Sequence, residues 1–378
     1  MAQIIEYKGE NEMSMIFKSP SKYVQGVGVL AEVEKYLVES MGKNIFVLID
    51  PAVEETVKPM LNKCIDKGYT ITYETFRGEC SRKNIEKNIE LAKEANSTVV
   101  FGVGGGKTMD TAKGIAHLSG MALVIVPTAA STDAPCSSVS VMYHEDGEFD
   151  DWLFLNANPN LVLVDTSVIV KAPLKLFVAG MGDALSTHFE ARVCRASGSK
   201  NQAKASPTIA ATTLAAKCWE ILQRDGVRAK LAAEAGVCTP AFEAVVEINT
   251  LLSSVGFESG GLGAAHAIQK GFTLIPELHR ELHGFIVAFC TVTQLVMENA
   301  PDEELNAVLK FCKDVGLPIC FADFGYTNID YDLLWKVADK TNKIGVSVHH
   351  LPFEVNTQMI YDGLVAADAI GNAYHANH

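Results

Sequence analysis

Several signatures of specialised protein classes are missing from this sequence. Its nine cysteines include no C-x-x-C pair and are odd in number, which is typical of reduced thiols in a cytoplasmic protein. It lacks a basic stripe and carries a net charge of -13, so we expect no nucleic-acid partner. It also lacks an apolar run long enough to span a bilayer, and we expect no membrane association. These absences favour a globular protein that acts on small molecules.

The sequence of 378 residues divides into two patterns. Short β-branched runs alternate with helical stretches in the first part, which predicts a parallel sheet. After Asp165 the strand signal stops and a run of helices begins. We predict an α/β N-terminal parallel-sheet nucleotide-binding domain over residues 1–165, with 1–14 a loosely held extension, and an all-α metal and substrate domain over 166–378. The predicted strands are residues 44–49, 69–76, 98–103, 122–126 and 161–165, and the predicted helices between them are 29–41, 54–67, 83–95 and 108–119.

A hairpin interrupts this alternation. Two apolar-rich runs, residues 138–143 and 148–155, flank an Asp146-Gly147 pair. Asp-Gly between two such runs is a strong signal for a tight turn between antiparallel strands.

A glycine-rich turn follows the third predicted strand. Gly102, Gly104, Gly105 and Gly106 stand between the apolar run and the helix that starts near Thr108. Glycines let a ligand approach the backbone, and the N-terminus of the helix favours a phosphate. The run matches neither a Walker A loop nor G-x-G-x-x-G, so a glycine-rich turn without a ligand is the alternative.

Two further segments end predicted strands with polar side chains. Asp50 follows residues 44–49 and is placed to bind ribose hydroxyls, which favours NAD over NADP; a simple helix cap before Pro51 is the alternative. Residues 127–137 are dense in hydroxyl groups and contain one acid, Asp133. This loop can bind a cofactor and a polyol, or it is only a connection with an Asx turn.

The helical part contains the donor types of a divalent metal site. Asp183 and His266 lie in small, apolar stretches, and His279 and His283 are expected four residues apart on one helix face. One carboxylate and two imidazoles suit zinc and also ferrous iron. Taken alone, each of these residues is more often a core or capping residue than a metal ligand.

The ensemble resembles a known family. Four segments carry the resemblance. In chain order they are Gly104-Gly105-Gly106-Lys107-Thr108, Ser131-Thr132-Asp133-Ala134-Pro135-Cys136, Gly180-Met181-Gly182-Asp183 and Glu258-Ser259-Gly260-Gly261-Leu262. They are similar to segments of the glycerol dehydrogenases in the iron-containing alcohol dehydrogenase superfamily, whose fold is dehydroquinate synthase-like. The resemblance runs from about residue 16 almost to the C-terminus.

The resemblance implies roles for particular residues. Asp183, His266 and His283 would bind one zinc, and Asp133 would contact the substrate. NAD would lie along the glycine turn, with Asp50 on the adenosine ribose. The cofactor-binding set comprises Asp50, Gly104, Gly105, Gly106, Lys107, Asp110, Thr128, Ser131, Ser137, Val139 and Tyr143.

The family also implies an activity. We predict an NAD-dependent, metal-dependent and reversible oxidation of glycerol to dihydroxyacetone, extending to other vicinal diols, by a cytoplasmic homo-oligomer. Alternatives are another alcohol dehydrogenase of the superfamily, a relative acting on phosphorylated substrates, and an NAD-binding protein without turnover. The chain departs from the family pattern at Phe285-Ile286, where two charges are usual, and in Gln269-Lys270, which leaves the substrate preference open.

Overall fold

The computed structural model describes residues 14–344 and 346–378. The predicted extension, residues 1–14, therefore lies outside the described residues except for Ser14. Within the described part, no helix combines the length and the apolar character needed to cross a bilayer. The nine cysteines are all free thiols, as their scatter along the chain indicated.

A six-stranded, fully parallel sheet forms the core of the N-terminal part. The five predicted strands are confirmed to within a residue at each end. A sixth, Tyr23–Gly26, was not predicted; it is four residues long and pairs with the last strand of the sheet. The strands are β1 (Tyr23–Gly26), β2 (Asn44–Ile49), β3 (Thr70–Thr75), β4 (Val99–Gly104), β5 (Ala122–Pro127) and β8 (Leu161–Asp165), in the spatial order β1-β8-β5-β4-β2-β3.

Both faces of the sheet are covered, because side chains alternate along each strand. On β2, Ile45, Val47 and Ile49 pack against one cluster of apolar residues, while Phe46 and Leu48 pack against a second cluster that continues into the helical part. The near-continuous apolar sequence of these strands is thus explained by burial on two sides.

The predicted hairpin is confirmed. Strands β6 (Val139–Tyr143) and β7 (Phe149–Phe154) pair antiparallel, with Val141 opposite Trp152. They form a separate two-stranded sheet, and in the sequence they lie between β5 and β8.

The helices of the N-terminal part differ from the prediction in two places. The stretch predicted as one helix at 54–67 is α-helical only over Glu54–Leu61 and continues as a 3-10 segment, Asn62–Lys67. Residues 29–41 form two short 3-10 segments, Val29–Lys35 and Glu39–Met41, and the single predicted helix is wrong. The backbone leaves helical geometry at Glu32, and the carboxylate of Asp165 holds the N–H groups of Gly28 and Leu30 at the start of the segment. The three helices that do form are α1 (Glu54–Leu61), α2 (Arg82–Glu94) and α3 (Gly106–Ser119).

Beyond β8 the described chain is helical, as predicted. A π-helical turn, Ile248–Leu252, links two of the helices without a break. The helices are α4 (Thr166–Ile169), α5 (Leu174–Ala196), α6 (Ile209–Glu234), α7 (Pro240–Glu247), α8 (Ser253–Gly260), α9 (Ala264–Gly271), α10 (His283–Met297), α11 (Asp302–Val315), α12 (Tyr331–Ile344) and α13 (Thr357–Asn377).

Candidate active site

The glycine turn joins β4 to α3 and leaves open space at the start of the helix. Gly104 has a φ of +153°, and a Cβ there would lie 2.7 Å from the Cβ of Asp50. A Cβ at Gly105 or Gly106, in contrast, would meet nothing within 4 Å. The backbone at the start of α3 therefore borders open space, and the N-terminus of a helix with room beside it can bind a phosphate.

Asp50 lies beside this turn and already has a structural role. Its Oδ1 accepts a hydrogen bond of 2.9 Å from the N–H of Ala52, so the capping alternative describes a real contact. Its position next to Gly104 at the carboxyl edge of the sheet is also the one from which a carboxylate reaches a ribose. The ribose contact itself stays a prediction.

Lys107 and Tyr143 approach each other at the mouth of the turn. The Nζ atom of Lys107 lies 5.5 Å from the centroid of the Tyr143 ring and 2.6 Å from Oε2 of Glu79. Burial raises the pKa of Tyr143 to about 12, so its hydroxyl stays protonated at neutral pH. Glu79 was not among the predicted site residues.

A buried lysine that was not predicted, Lys113, organises the predicted cofactor loop. Its Nζ atom is fully buried and lies 3.0 Å from Oδ1 of Asp110. It also donates to the carbonyl oxygens of Ala134 (2.7 Å) and Val139 (2.8 Å) and to Oγ of Ser137 (3.2 Å). An ammonium with this many acceptors can be held inside a protein.

Because of Lys113, three of the predicted cofactor residues also hold the site together. Asp110 bonds Lys113 through one oxygen and accepts the N–H of Val141 (3.0 Å) through the other. Ser137 and Val139 bond the same ammonium. The turn, the hydroxyl loop and the hairpin are thereby connected to one side chain.

Residues 127–137, the hydroxyl loop, run from the glycine turn to the helical part. At its start, the N–H of Thr128 donates to the carbonyl oxygen of Gly104 (3.2 Å). Ser131 is half-buried beside Ala130, whose carbonyl oxygen accepts a 3.0 Å bond from Nδ2 of Asn249 in the π-helical turn. Further on, the N–H of Asp133 donates to Oδ2 of Asp183 (3.0 Å). Thr128, Ser131 and Asp133 therefore lie along one continuous loop that runs from the glycine turn to Asp183.

Asp183, His266 and His283 converge from three helices, α5, α9 and α10. Oδ1 of Asp183 lies 3.5 Å from Nε2 of His266 and 3.4 Å from Nε2 of His283, and the two Nε2 atoms are 3.4 Å apart. Tetrahedral ligands about 2.0–2.1 Å from a zinc ion are about 3.4 Å from one another, so the three atoms have the spacing of a metal's ligands.

The state of Asp183 supports the same fit. Its Oδ1 atom is buried and has no hydrogen-bond partner among the described residues. Burial by itself would raise the pKa of this carboxyl, but His283 and His266 hold it below its ordinary value. A buried carboxylate oxygen aimed at two imidazoles is a donor set that a divalent cation satisfies.

Glu190, another residue missed from the sequence, orients His266. Its Oε2 lies 2.6 Å from Nδ1 of His266, and its Oε1 accepts the N–H groups of Gly263 and His266, both at 2.9 Å. With Nδ1 engaged, the lone pair of Nε2 is directed at Asp183. The signal in the sequence was the seven-residue spacing from Asp183 to Glu190, which places both on one face of a helix.

Glycines allow α10 to begin beside Asp183. A Cβ at Gly182 would lie 2.2 Å from the carbonyl oxygen of Gly284, the residue after His283. A Cβ at Gly180 would lie 2.0 Å from the carbonyl oxygen of Ala130 in the hydroxyl loop. One face of α5 therefore approaches both the loop and α10 at backbone distance.

His279 is not part of this group, and the prediction that it shares a helix face with His283 is wrong. The chain forms a short 3-10 segment at Pro276–Leu278, and α10 begins only at His283. His279 is exposed, and its Nε2 lies 2.9 Å from the carbonyl oxygen of Thr273. A turn at residues 279–280 and the extended backbone of Leu282 separate the two histidines, which the four-residue spacing did not reveal.

The fold and this site define a class of protein. A parallel sheet with an open glycine turn stands next to a helical part that presents the donor set of a divalent cation, and one loop connects the two. This is the construction of a nucleotide-dependent enzyme that uses a metal.

The family follows from similarity along the chain. The family described as iron-containing alcohol dehydrogenase matches residues 20–166. The chain is 44% identical to the glycerol dehydrogenase of Escherichia coli O6:H1 over 366 residues, 96% of this chain and 99% of that protein. It is 41% identical to the glycerol dehydrogenase of Citrobacter freundii over 365 residues, 96% of this chain and 100% of that protein.

The fold agrees with these relatives. The crystal structure of glycerol dehydrogenase from Schizosaccharomyces pombe superposes with a TM-score of 0.91 at 37% identity, covering 98% of this chain and 94% of that one. The chain belongs to the iron-containing alcohol dehydrogenase family and is an oxidoreductase. The resemblance identified from the sequence is confirmed, and membership implies NAD and a divalent metal.

Proposed function

We propose that this protein oxidises glycerol to dihydroxyacetone with NAD, reversibly, and accepts other vicinal diols. The observation that carries the proposal is the convergence of Asp183, His266 and His283 at 3.4–3.5 Å, joined by the hydroxyl loop to an open glycine turn. Relatives more than 40% identical along the whole chain are glycerol dehydrogenases, which supports the choice of substrate.

Asp183, His266 and His283 would hold the metal, which we propose to be zinc, with ferrous iron suiting the same donors. A bound divalent cation lowers the pKa of a coordinated hydroxyl and so favours release of its proton. Glu190 fixes the ring of His266, and the backbone of Asp133 fixes the carboxylate of Asp183. These contacts keep the three donor atoms directed at one point.

The glycine turn and its surroundings would bind NAD. The N–H groups at Gly105 and Gly106 would face the pyrophosphate, and Asp50 the adenosine ribose. The remaining cofactor contacts would come from the hydroxyl loop and the hairpin, through Thr128, Ser131 and Tyr143. Lys113 bonds the loop and the hairpin that would make these contacts.

Asp133 would orient the polyol. Burial, and then the neighbouring Asp183, raise the pKa of the Asp133 carboxyl well above its ordinary value. A carboxyl group at this position can form a hydrogen bond with a substrate hydroxyl. We propose that Asp133 positions the hydroxyl next to the reacting one.

We further propose that the nucleotide and metal parts are two domains that divide at residue 165, in a cytoplasmic homo-oligomer. The last strand of the sheet, β8, ends at Asp165, and α4 begins with the next residue. Light scattering after size-exclusion chromatography measures the number of chains in the assembly.

The test of the function is metal removal with a matched control. Exhaustive chelation should abolish NADH formation from glycerol, and stoichiometric Zn²⁺ or Fe²⁺ should restore it. Asp183→Asn should lose both bound metal and activity. A second group of donor residues elsewhere in the helical part, Cys320, Asp323 and His375, provides the control: His375→Ala should keep both. Full activity after chelation would contradict the proposal.

A further inference from the structure

Lys270 lies one helical turn beyond His266 on α9. Residues four apart on a helix share a face, so the side chain of Lys270 starts from the side of α9 that carries the proposed metal ligand. Its Nζ atom lies 4.3 Å from the centroid of the Trp152 ring, which belongs to β7 of the hairpin. The ammonium therefore bridges the helical part and the hairpin.

The hairpin brings this contact close to the predicted cofactor site. Trp152 pairs with Val141 on β6, and the N–H of Val141 is bound by Asp110 from the helix that follows the glycine turn. Lys270 is thus placed between the elements proposed to hold NAD and the helix that supplies His266.

The ammonium of Lys270 lies against the Trp152 ring and has no anion beside it. Among the residues that the structure describes, no carboxylate oxygen lies within 4 Å of its Nζ atom and no hydrogen-bond acceptor is within reach. Burial lowers the pKa of Lys270, and Glu190, which is already engaged by His266, acts in the opposite direction. Lys270 is only half-buried, and a cation–π contact does not use the N–H donors of an ammonium, so these donors are open to water or to a ligand.

We propose that Lys270 binds a carboxylate of the substrate, so that the enzyme accepts, besides glycerol, a vicinal diol that carries a carboxylate. This inference rests on the proposed function of the Asp183, His266 and His283 group. A single ammonium matches a monoanion, whereas a phosphate dianion calls for several cationic groups or bidentate arginine.

The carboxylate takes no part in the chemistry. The carbon bearing the reacting hydroxyl transfers hydride to NAD⁺, the hydroxyl proton leaves to water, and the C–O single bond becomes C=O. NAD⁺ is reduced to NADH and the alcohol is oxidised to a ketone or aldehyde. Lys270 would therefore act on substrate binding and selectivity.

The experiment compares glycerate with glycerol in the metal-loaded enzyme with NAD. The quantity measured is the ratio of kcat/KM for glycerate to kcat/KM for glycerol. Lys270→Gln should lower this ratio about 10- to 100-fold, the effect of losing one hydrogen bond to a charged group. Lys270→Arg should retain most of the ratio. Lys340→Gln is the control, because Lys340 is an exposed lysine that bonds Thr273 away from the site.

Reversing the charge gives a second test. Lys270→Glu should raise kcat/KM for 3-amino-1,2-propanediol relative to glycerol, because the cationic diol then meets an anion. Glycerol 3-phosphate tests the other anion: a higher kcat/KM for it than for glycerate would overturn the choice of a carboxylate. Equal losses on charged and neutral substrates in Lys270→Gln would also overturn the proposal, because they would show a purely structural contact.

A binding measurement separates this proposal from the proposed function. Trp152 adjoins Lys270, so glycerate should change the tryptophan fluorescence saturably in the wild type and not in Lys270→Gln or Trp152→Phe. A saturable signal without turnover of any diol would contradict the dehydrogenase function while supporting the site. Turnover of glycerol without a glycerate signal would overturn the site alone.

Discussion

Gly284 is in backbone contact with Ala179: a Cβ at Gly284 would lie 1.8 Å from the carbonyl oxygen of Ala179. The contact sets the first turn of α10 directly on α5 with no side chain between them. His283, the first residue of α10, is thereby held 3.4 Å from Asp183, four residues beyond Ala179. The geometry of the proposed metal site depends on a glycine that binds nothing itself.

Gly284→Ala should therefore damage the site and the fold together. The new methyl group must push α10 away from α5, which costs about 1–3 kcal/mol in the free energy of unfolding and moves the imidazole of His283 out of reach. We expect less than stoichiometric metal after purification and lower kcat. Elemental analysis and urea unfolding measure the two effects.

Gly106→Ala is the matched control for the unfolding measurement, because its Cβ would meet nothing within 4 Å. Its unfolding free energy should be unchanged or slightly raised. If Gly284→Ala binds metal stoichiometrically and unfolds like the wild type, the backbone contact does not position His283.

Glu190→Gln should weaken metal binding without unfolding the protein. One oxygen of the Glu190 carboxylate binds Nδ1 of His266, and the other accepts two backbone N–H groups. A glutamine side chain has only one oxygen and cannot replace both. We expect metal affinity about 10- to 100-fold lower, measured by competition with a chelator. Glu304→Gln, which removes a partner of Arg192 outside the site, should leave the affinity unchanged. An equal effect in both variants would argue against a specific role for Glu190.

Lys113→Met should destabilise the N-terminal part by about 3–5 kcal/mol, because it leaves the buried carboxylate of Asp110 without its cation. Adding Asp110→Asn to Lys113→Met should recover part of that loss, since the uncompensated charge is then removed. A double-mutant cycle by urea unfolding measures the coupling. Additive losses would show that the two residues act independently.

His188 should make the protein less stable in mild acid. Burial, together with the charge of Arg192, lowers the pKa of His188 to about 4, whereas its ordinary value in the unfolded chain is 6.5. Between these values the unfolded chain binds a proton that the folded protein does not, so stability falls as pH falls from 6.5 towards 4. At pH 5 the loss from this group is about 2 kcal/mol.

The variant His188→Gln removes this proton-binding group. Urea unfolding of both proteins at pH 7.5 and pH 5 should show a smaller pH-dependent loss in the variant. Since other titrating groups are common to both proteins, the difference isolates His188. Parallel curves would mean that the histidine is protonated alike in the folded and unfolded chain.

The sheet could be predicted because its strands are buried on both faces and read as continuous apolar runs. The strand Tyr23–Gly26 escaped prediction because it is short, half-buried and lies at the edge of the sheet, where the sequence is not uniformly apolar. The helix expected at 29–41 failed because a contact from Asp165, distant in sequence, fixes its first residues. The hydrophobic pattern of residues 29–41 does not reveal a contact with a residue so far along the chain.

The candidate site, too, was predicted only in part. Asp183, His266 and His283 were found by residue type and family resemblance, and the structure brings them together. Glu190 and Lys113 were missed because their roles depend on partners 76 and up to 26 residues away, which spacing alone does not reveal. His279 was predicted to share a helix face with His283 because the two are four residues apart, but the chain turns after Leu278 and is extended at Leu282, so no helix contains both.

The pairing of β1 with β8 has a consequence for the order in which the protein is made. The N–H of Gly28, just after β1, is bound by a carboxylate 137 residues further along the chain. On the ribosome the first strand thus emerges long before its neighbour exists, and the sheet acquires its outer edge only when β8 has left the exit tunnel. Until then, the nascent chain has to keep an unpaired strand from meeting the wrong partner.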